Sequence, residues 1–503
     1  MNARLDSGGG PERPYDAGRE VVRGVSWAIV MRWSIRGIGL VSTVILARLL
    51  TPEDFGVAAM ALLVIGLLYT FSEFGTSMHL IRVRDLDAAH CHTAWTLTLL
   101  QHIAVASLLV VLAGPIAAFF QEPRLVAVLH VLAAGSALGG LTSVSLALIR
   151  RELRFDLDFR FSVYRKLLVF TATVTLAFLL RDYWALVYGH VIGTLGAVVM
   201  SYCIHPYRPR PSLARAGEYL RFAAAIIPMR MANDLRELAP KAVVGSMGNP
   251  AIMGGFTVSY GLATLFTQEI VQPMGRGLFP NYTRLAGDRE RLSTVYRQVL
   301  ATVALVALPI GAGVSAVAPD LVQVLLGDQW DLAVPLVQYL ALGGAVYAIS
   351  HTMFNQILVA VGRERAAAVL AWVRLAVTVP LLLTGLAWNG AVGVAMATIA
   401  APLIYLPLTY LETRRAVDLP VVTLLGLLWR PLVAAAVMYA AIHVVVPAGP
   451  AALRLLADIG IGVVTFMATT ALLWWLSGRP AGAETGLIDF ARRRFARRPP
   501  RTA

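Results

Sequence analysis

Cysteine is scarce: Cys91 and Cys203 are the only two in 503 residues. Two thiols cannot build the framework that staples small secreted domains. Both fall near helix ends expected to face the cytoplasm, so they read as free thiols. Charge is scarce as well. Asp, Glu, Lys and Arg make up 14% of the chain, against about a quarter in soluble domains. The charges gather between long apolar runs, which a bilayer can absorb and a soluble core of this length cannot. Acid is the scarcer sign: 29 Asp and Glu against 43 Lys and Arg leave a formal net charge of +14. Such an excess can mark nucleic-acid binding, but here the arginines sit at the ends of apolar runs, where membrane insertion places them. Nucleic acid is rejected as a partner on that ground. A glycine-rich phosphate loop and a nucleophile triad are also missing. His102, His130, His190, His351 and His443 are spread over different helices without ligand spacing, so neither a metal site nor a catalytic residue is assigned.

What is present is a series of apolar runs near the 20 residues a bilayer core requires. They cover 24–48, 55–80, 93–120, 124–149, 162–180, 183–203, 219–246, 250–279, 295–318, 333–360, 366–386, 388–411, 425–447 and 455–477. The expected fold class is therefore an all-α integral membrane protein of about 14 transmembrane helices. One set of connections is rich in arginine, including Arg150, Arg151, Arg154, Arg208, Arg210, Arg215, Arg289 and Arg291. The alternate set carries little beyond Arg48, Arg124, Arg181 and Arg454. That asymmetry places both termini in the cytoplasm. No apolar signal-peptide core opens the chain, so the first run is expected to serve as an uncleaved signal and a structural helix.

The chain resembles itself. A shift of 198 positions sets Met31-Arg32 on Met229-Arg230, Pro52 on Pro250 and Gly56 on Gly254. Two pseudo-symmetric six-helix lobes around a central cavity follow, with two C-terminal helices added. The expected division is a disordered tail over 1–20, an N-lobe over 21–204 and a linker over 205–218. A C-lobe over 219–412, a helix pair over 424–477 and a basic tail over 478–503 complete it.

Charges inside spans are the informative ones, because each costs several kcal/mol at the bilayer centre. Arg32 and Arg36 lie four residues apart on one face of the first helix. Arg230, Asp234, Glu237 and Lys241 are spaced i, i+4, i+7, i+11, a stripe along one face of the seventh helix, with Arg236 on its flank. Asp234 lies on the order of 24 Å along that helix from Glu218, too deep for snorkelling. The stripe should face water, and pseudo-symmetry sets Arg32 opposite Arg230. The expected cavity is cationic, containing Arg32, Arg36, Arg230, Arg236 and Lys241, with Arg276 and Arg374 as further candidates. It would select an anion, since a guanidinium fits phosphate or carboxylate. The alternative is mutual pairing of Arg230 with Asp234 and Glu237 with Lys241. Asp234, Glu237, Glu73 and Glu269 are candidates for a coupling proton or Na+, because a half-buried carboxyl can titrate near neutral pH.

The stretch Leu46-Ala-Arg-Leu-Leu-Thr-Pro-Glu-Asp-Phe-Gly56, with the helix ending near Phe74-Gly75, resembles the opening hairpin of Wzx-type polysaccharide transporters. So do Leu148 to Phe155 and Val258 to Leu285, the latter holding Gln272-Pro273 and Phe279-Pro280. These transporters belong to the MOP superfamily, with the lipid II flippases and the MATE antiporters. The resemblance implies a flippase for an undecaprenyl-diphosphate-linked oligosaccharide, moved from the cytoplasmic to the outer leaflet of the bacterial inner membrane. It implies no cofactor beyond a coupling ion. It implies as partners the lipid bilayer, the polyprenyl-diphosphate-linked glycan, and a glycan polymerase with export machinery. Competing readings are a MATE-like antiporter of small molecules, which would want an acidic cavity, and a membrane glycan polymerase or ligase. The latter needs a sizeable outer loop that the spans leave no room for.

Overall fold

A computed structural model describes residues 17–72, 75–285, 287–417, 419–445 and 448–479. These are helical with short connections, and they include no strand. In chain order the helices are α1 (Ala17–Leu49), α2 (Pro52–Ser72), α3 (Thr76–Arg82), α4 (Ala88–Phe119), α5 (Leu125–Gly139), α6 (Ser145–Arg151), α7 (Phe155–Leu180) and α8 (Trp184–Ile204). They continue with α9 (Ala216–Gly245), α10 (Pro250–Leu285), α11 (Arg289–Ala316), α12 (Ala318–Leu325), α13 (Ala333–Ala360), α14 (Glu364–Ala416), α15 (Val421–Val444) and α16 (Ala451–Leu476).

Local chemistry sets the ends. Pro52 and Pro250 open α2 and α10, where proline's missing N–H is no loss. Asp87 and Asp288 cap α4 and α11 by accepting from the His90 and Arg291 amides. Inside α14, Asn389 leaves helical geometry and Gly390 takes φ 54°, so the 53 residues form two arms about a bend. Only glycine adopts that conformation without strain. By contrast α9 continues as one helix through Pro228 and Pro240.

Among the described residues, ten helices are long and apolar enough to cross a membrane, which makes this a multi-pass membrane protein. The other expected spans depart from the simple ruler for visible reasons. The span expected at 124–149 divides into the 15-residue α5 and the short α6. The two expected at 366–386 and 388–411 are the arms of α14. α9 carries the charged stripe, and α10 holds Gln268, Glu269, Gln272 and Arg276 in its second half, so both are too polar for a hydropathy ruler.

In the first bundle α1 packs on α7, α4 on α5, and α8 on α5 and α7; in the second α13 lies centrally among α10, α11 and α14. α15 packs on α11, and α16 on α15 and α12. The bundles meet chiefly through α2 and α10, and the repeat shows why they fit. A methyl group on Gly56 would fall 1.7 Å from the Pro250 carbonyl oxygen, and one on Gly254 would fall 1.8 Å from the Pro52 carbonyl oxygen. The residues matched by the 198-position shift therefore touch each other reciprocally, as across a two-fold axis. Lipid supplies no hydrophobic force between helices, so close backbone approach through small residues carries such contacts.

Each end of the molecule has its own clasp. At the end carrying the α1–α2 connection, Arg48 donates to the Val324 carbonyl at 2.6 Å. Gln329 and Trp330 donate to the Ala47 carbonyl at 2.6 and 2.9 Å. Trp330 is buried edge-on against Phe55. At the opposite end Arg215, just before α9, donates to Asp87 and Glu218, and Glu218 also pairs with His90. Burial there works against ionisation of Asp87, but the His90 amide and the Arg215 and His90 side chains outweigh it and hold the carboxyl at about 2. Cys91 is buried and Cys203 exposed, both as free thiols.

A cationic cavity between the two bundles

A cavity of about 360 Å³ opens between α1 and α10. Leu40, Thr43 and Phe55 line one side, Thr257 and Val258 the other, and Leu326 its end nearest the Arg48 clasp. Two cations enter it: Arg36 from α1 and Lys166 from α7. Arg36 sits about 20 Å along α1 from Leu49, well inside the span. Lys166 passes beside Gly39 of α1. A methyl group there would meet the lysine Nζ at 3.7 Å. Two like charges brought together repel one another, and an anion placed between them relieves that repulsion. Arg32 lies one turn before Arg36 on the same helix and is partly buried.

The expected stripe on α9 divides. Arg230 is exposed and pairs with Asp234 at 3.6 Å, and Glu237 is exposed. Lys241 turns instead to α10, with its Nζ 5.1 Å from the Tyr260 ring centre. Arg236 points into the second bundle. Its guanidinium lies 4.3 Å over the Tyr347 ring and donates to the Tyr347 hydroxyl at 2.6 Å. Arg374, expected in the cavity, is instead fully buried beside Tyr405 in the same tyrosine cluster. Rings of this kind stabilise a cation by about 0.5–2 kcal/mol. Arg236, Lys241 and Arg374 are thus grouped within the second bundle, and none of them lines the α1–α10 cavity. The reason is side-chain direction: Arg236 lies about 100° around α9 from Glu237 and reaches Tyr347 of α13, whereas Lys241 reaches Tyr260 of α10. Glu73 lies outside the described residues, as do the side chains of Glu269 and Arg276. No group of three or more metal-ligating side chains occurs among the described residues.

Lys166 was not among the sequence candidates, yet the sequence carries a signal for it. Lys166 and Lys241 are the only lysines in the chain, and both lie on long helices while the connections use arginine throughout. The tyrosines at 260, 347 and 405 carry no such mark, because their spacing is that of ordinary packing residues.

A family profile described as polysaccharide biosynthesis protein matches residues 45–335. The lipopolysaccharide biosynthesis protein WzxC of Escherichia coli (strain K12) is 23% identical over 399 residues, covering 78% of this chain and 80% of that one. The succinoglycan biosynthesis transport protein ExoT of Rhizobium meliloti (strain 1021) is 27% identical over 358 residues, covering 70% and 71%. Among solved structures, the lipid II flippase MurJ in an inward closed conformation superposes with a TM-score of 0.70 at 13% identity, covering 88% of this chain and 98% of that one. An inward-facing MATE family multidrug transporter of the MOP superfamily superposes at 0.53 with 13% identity, covering 77% and 98%. The fold is of that type.

Proposed function

Because the chain belongs to the polysaccharide biosynthesis protein family, we propose that it is a flippase for a polyprenyl-diphosphate-linked oligosaccharide, moving it between leaflets by alternating access. The observation that carries this reading is the cation pair Arg36 and Lys166 at bilayer depth in a gap between the bundles. A diphosphate is the part of such a lipid that an apolar bilayer resists most, and ammonium and guanidinium groups replace its water with charge-assisted hydrogen bonds. Val258, Leu262 and Leu265 of α10 give an apolar wall for the polyprenyl chain. Relatives named for lipopolysaccharide and succinoglycan biosynthesis support a glycan substrate, and the second of these names states transport. The reading is of a transporter and not of an enzyme.

The arginine asymmetry supports an inner-membrane protein with cytoplasmic termini. In that orientation the Arg48 clasp closes the outer side, and the α4–α9 clasp lies inside. A polymerase that lengthens the delivered glycan is the partner this activity requires.

The test is lipid-linked glycan export in cells lacking the gene and in proteoliposomes. Arg36→Ala and Lys166→Ala should each reduce export at least tenfold with the protein still in the membrane, and Arg36→Lys should retain part of it. Wild-type export by both alanine variants would overturn the assignment of this cavity.

A further inference from the structure

Asp458 is a carboxyl inside a membrane helix that the transport reading does not use. It lies about 10 Å along α16 from Ala451, is 7% exposed, and its Oδ1 is buried without a hydrogen bond. Arg454, Asp458 and Gly462 follow at intervals of four, so they share one face of α16. Gly462 fixes where that face looks: a methyl group there would meet Ile442 of α15 at 3.1 Å. The charged groups around Asp458 are Asp320 of α12, Arg454 of α16 and His443 of α15. His443 stacks on Tyr439 and is bonded through Nδ1 to that residue's carbonyl. Arg454 gives its Nε and Nη2 to Asp320 Oδ1 at 3.1 and 2.6 Å. Two carboxyls therefore compete for one guanidinium, and in this structure Asp320 holds it. An ionised Asp458 without a partner would be costly at this depth, whereas a protonated one is not.

The position of α12 gives that competition a consequence. Its first turn holds Asp320, and its last holds the Val324 carbonyl that accepts Arg48 of the first bundle. Leu326, just after it, ends the cavity. α12 is eight residues long, so a pull on one end is felt at the other.

We propose that Asp458 is a proton-binding site whose occupancy decides whether Arg454 stays on Asp320 and α12 keeps the outer contact between the bundles closed. This rests on the transport reading and adds to it the chemical nature of one linked ion. With the proton bound, Arg454 stays on Asp320 and Arg48 finds Val324 in place. With the proton lost, the Asp458 carboxylate draws Arg454 one turn deeper, α12 is released, and the outer contact opens. The step is a simple ionisation: the proton leaves Oδ1 or Oδ2 for water at the outer face, and no other bond is made or broken covalently. Protonation from the outer phase would thus favour the return to the outer-closed state after glycan has left.

The experiment uses the full chain in lipid nanodiscs, with Cys91 and Cys203 replaced by serine and spin labels on Leu180→Cys and Leu332→Cys. Distances between the labels are measured from pH 5 to 8.5. The wild-type background should move from a mainly short to a mainly long distance as pH rises. Asp458→Asn should hold the short distance at every pH, Asp458→Glu should restore the transition with a shifted midpoint, and His443→Gln should leave the transition in place. A pH-independent distance in the wild-type background, or an unaltered transition in Asp458→Asn, overturns the proposal. Loss of the transition in His443→Gln alone would assign the site to the histidine and overturn it equally. Glycan flipping is read in parallel in proteoliposomes. A working Asp458 transition in a protein that flips no lipid-linked glycan would refute the transport reading while leaving the proton site standing.

Discussion

Two arginines six positions apart on α9 sit in different surroundings. Arg230 is exposed and pairs with Asp234 at 3.6 Å. Arg236 donates to Tyr347 at 2.6 Å and stacks on that ring. A hydrogen bond to a charged group contributes about 1.5–3 kcal/mol. Arg236→Ala should therefore lower the melting temperature in detergent by several degrees, and Tyr347→Phe by less. Arg230→Ala should lower the melting temperature less than Arg236→Ala, and should spare glycan export more than Arg36→Ala does, since Arg230 does not line the α1–α10 cavity. Thermal unfolding followed by tryptophan fluorescence, beside an export assay, checks both halves. Equal melting temperatures for Arg230→Ala and Arg236→Ala would show that the two residues are not divided in this way. The sequence showed that α9 carries too much charge for a lipid-facing helix. It could not say which charge meets water and which meets tyrosine, because a helix rotation of a few tens of degrees decides that, and packing against α14, α2 and α10 sets the rotation.

At the scale of elements, hydropathy located most helices, and the places where it fell short have causes. α10 and α9 look weak as spans because polar residues interrupt their apolar runs; on α9, Arg236 and Lys241 meet tyrosines inside the protein. α14 was resolved into two spans by length alone, whereas the bend at Gly390 comes from a left-handed residue. The pairing of α2 with α10 was legible in outline. Pro52 with Pro250 and Gly56 with Gly254 marked corresponding positions, but correspondence does not require contact, and only the fold shows that they touch. That contact predicts the outcome of adding volume. Gly56→Ala places a methyl against the Pro250 backbone, which no side-chain rotation can relieve, and overpacking of this kind costs about 1–3 kcal/mol. Gly426→Ala on α15 meets open space and should be neutral or slightly stabilising. A lower melting temperature and folded yield for Gly56→Ala, with Gly254→Ala matching it through the reciprocal contact, is the expected result. Unchanged stability in both would mean that the α2–α10 crossing is looser than the structure has it.

For the whole molecule, the decisive feature is that the bundles are joined differently at their two ends. The Arg48 end is closed by hydrogen bonds from Arg48, Gln329 and Trp330 to backbone carbonyls. Carbonyl partners are indifferent to side-chain identity, and a contact made of a few such bonds can open without leaving a buried ion alone. The opposite end is held by ionised groups around Asp87 and Arg215. They fix the start of α9 on α4, where the chain passes from one bundle to the other. A molecule built this way should pivot about the ionic end of α9 and open at the end closed by carbonyls. Thr43 reports on that motion, because it lines the cavity on the inner side of the Arg48 clasp. Thr43→Cys, in a background with Cys91 and Cys203 replaced by serine, should react slowly with a membrane-impermeant thiol reagent added outside intact cells. Adding Arg48→Ala and Gln329→Ala removes two of the donors and should raise that rate several-fold. Adding Asp87→Asn instead should leave it near the starting value, since that acid lies at the far end. Equal rates in all three proteins would mean that the clasp does not control access to the cavity. A rise with Asp87→Asn alone would place the moving end opposite to where the hydrogen bonds put it.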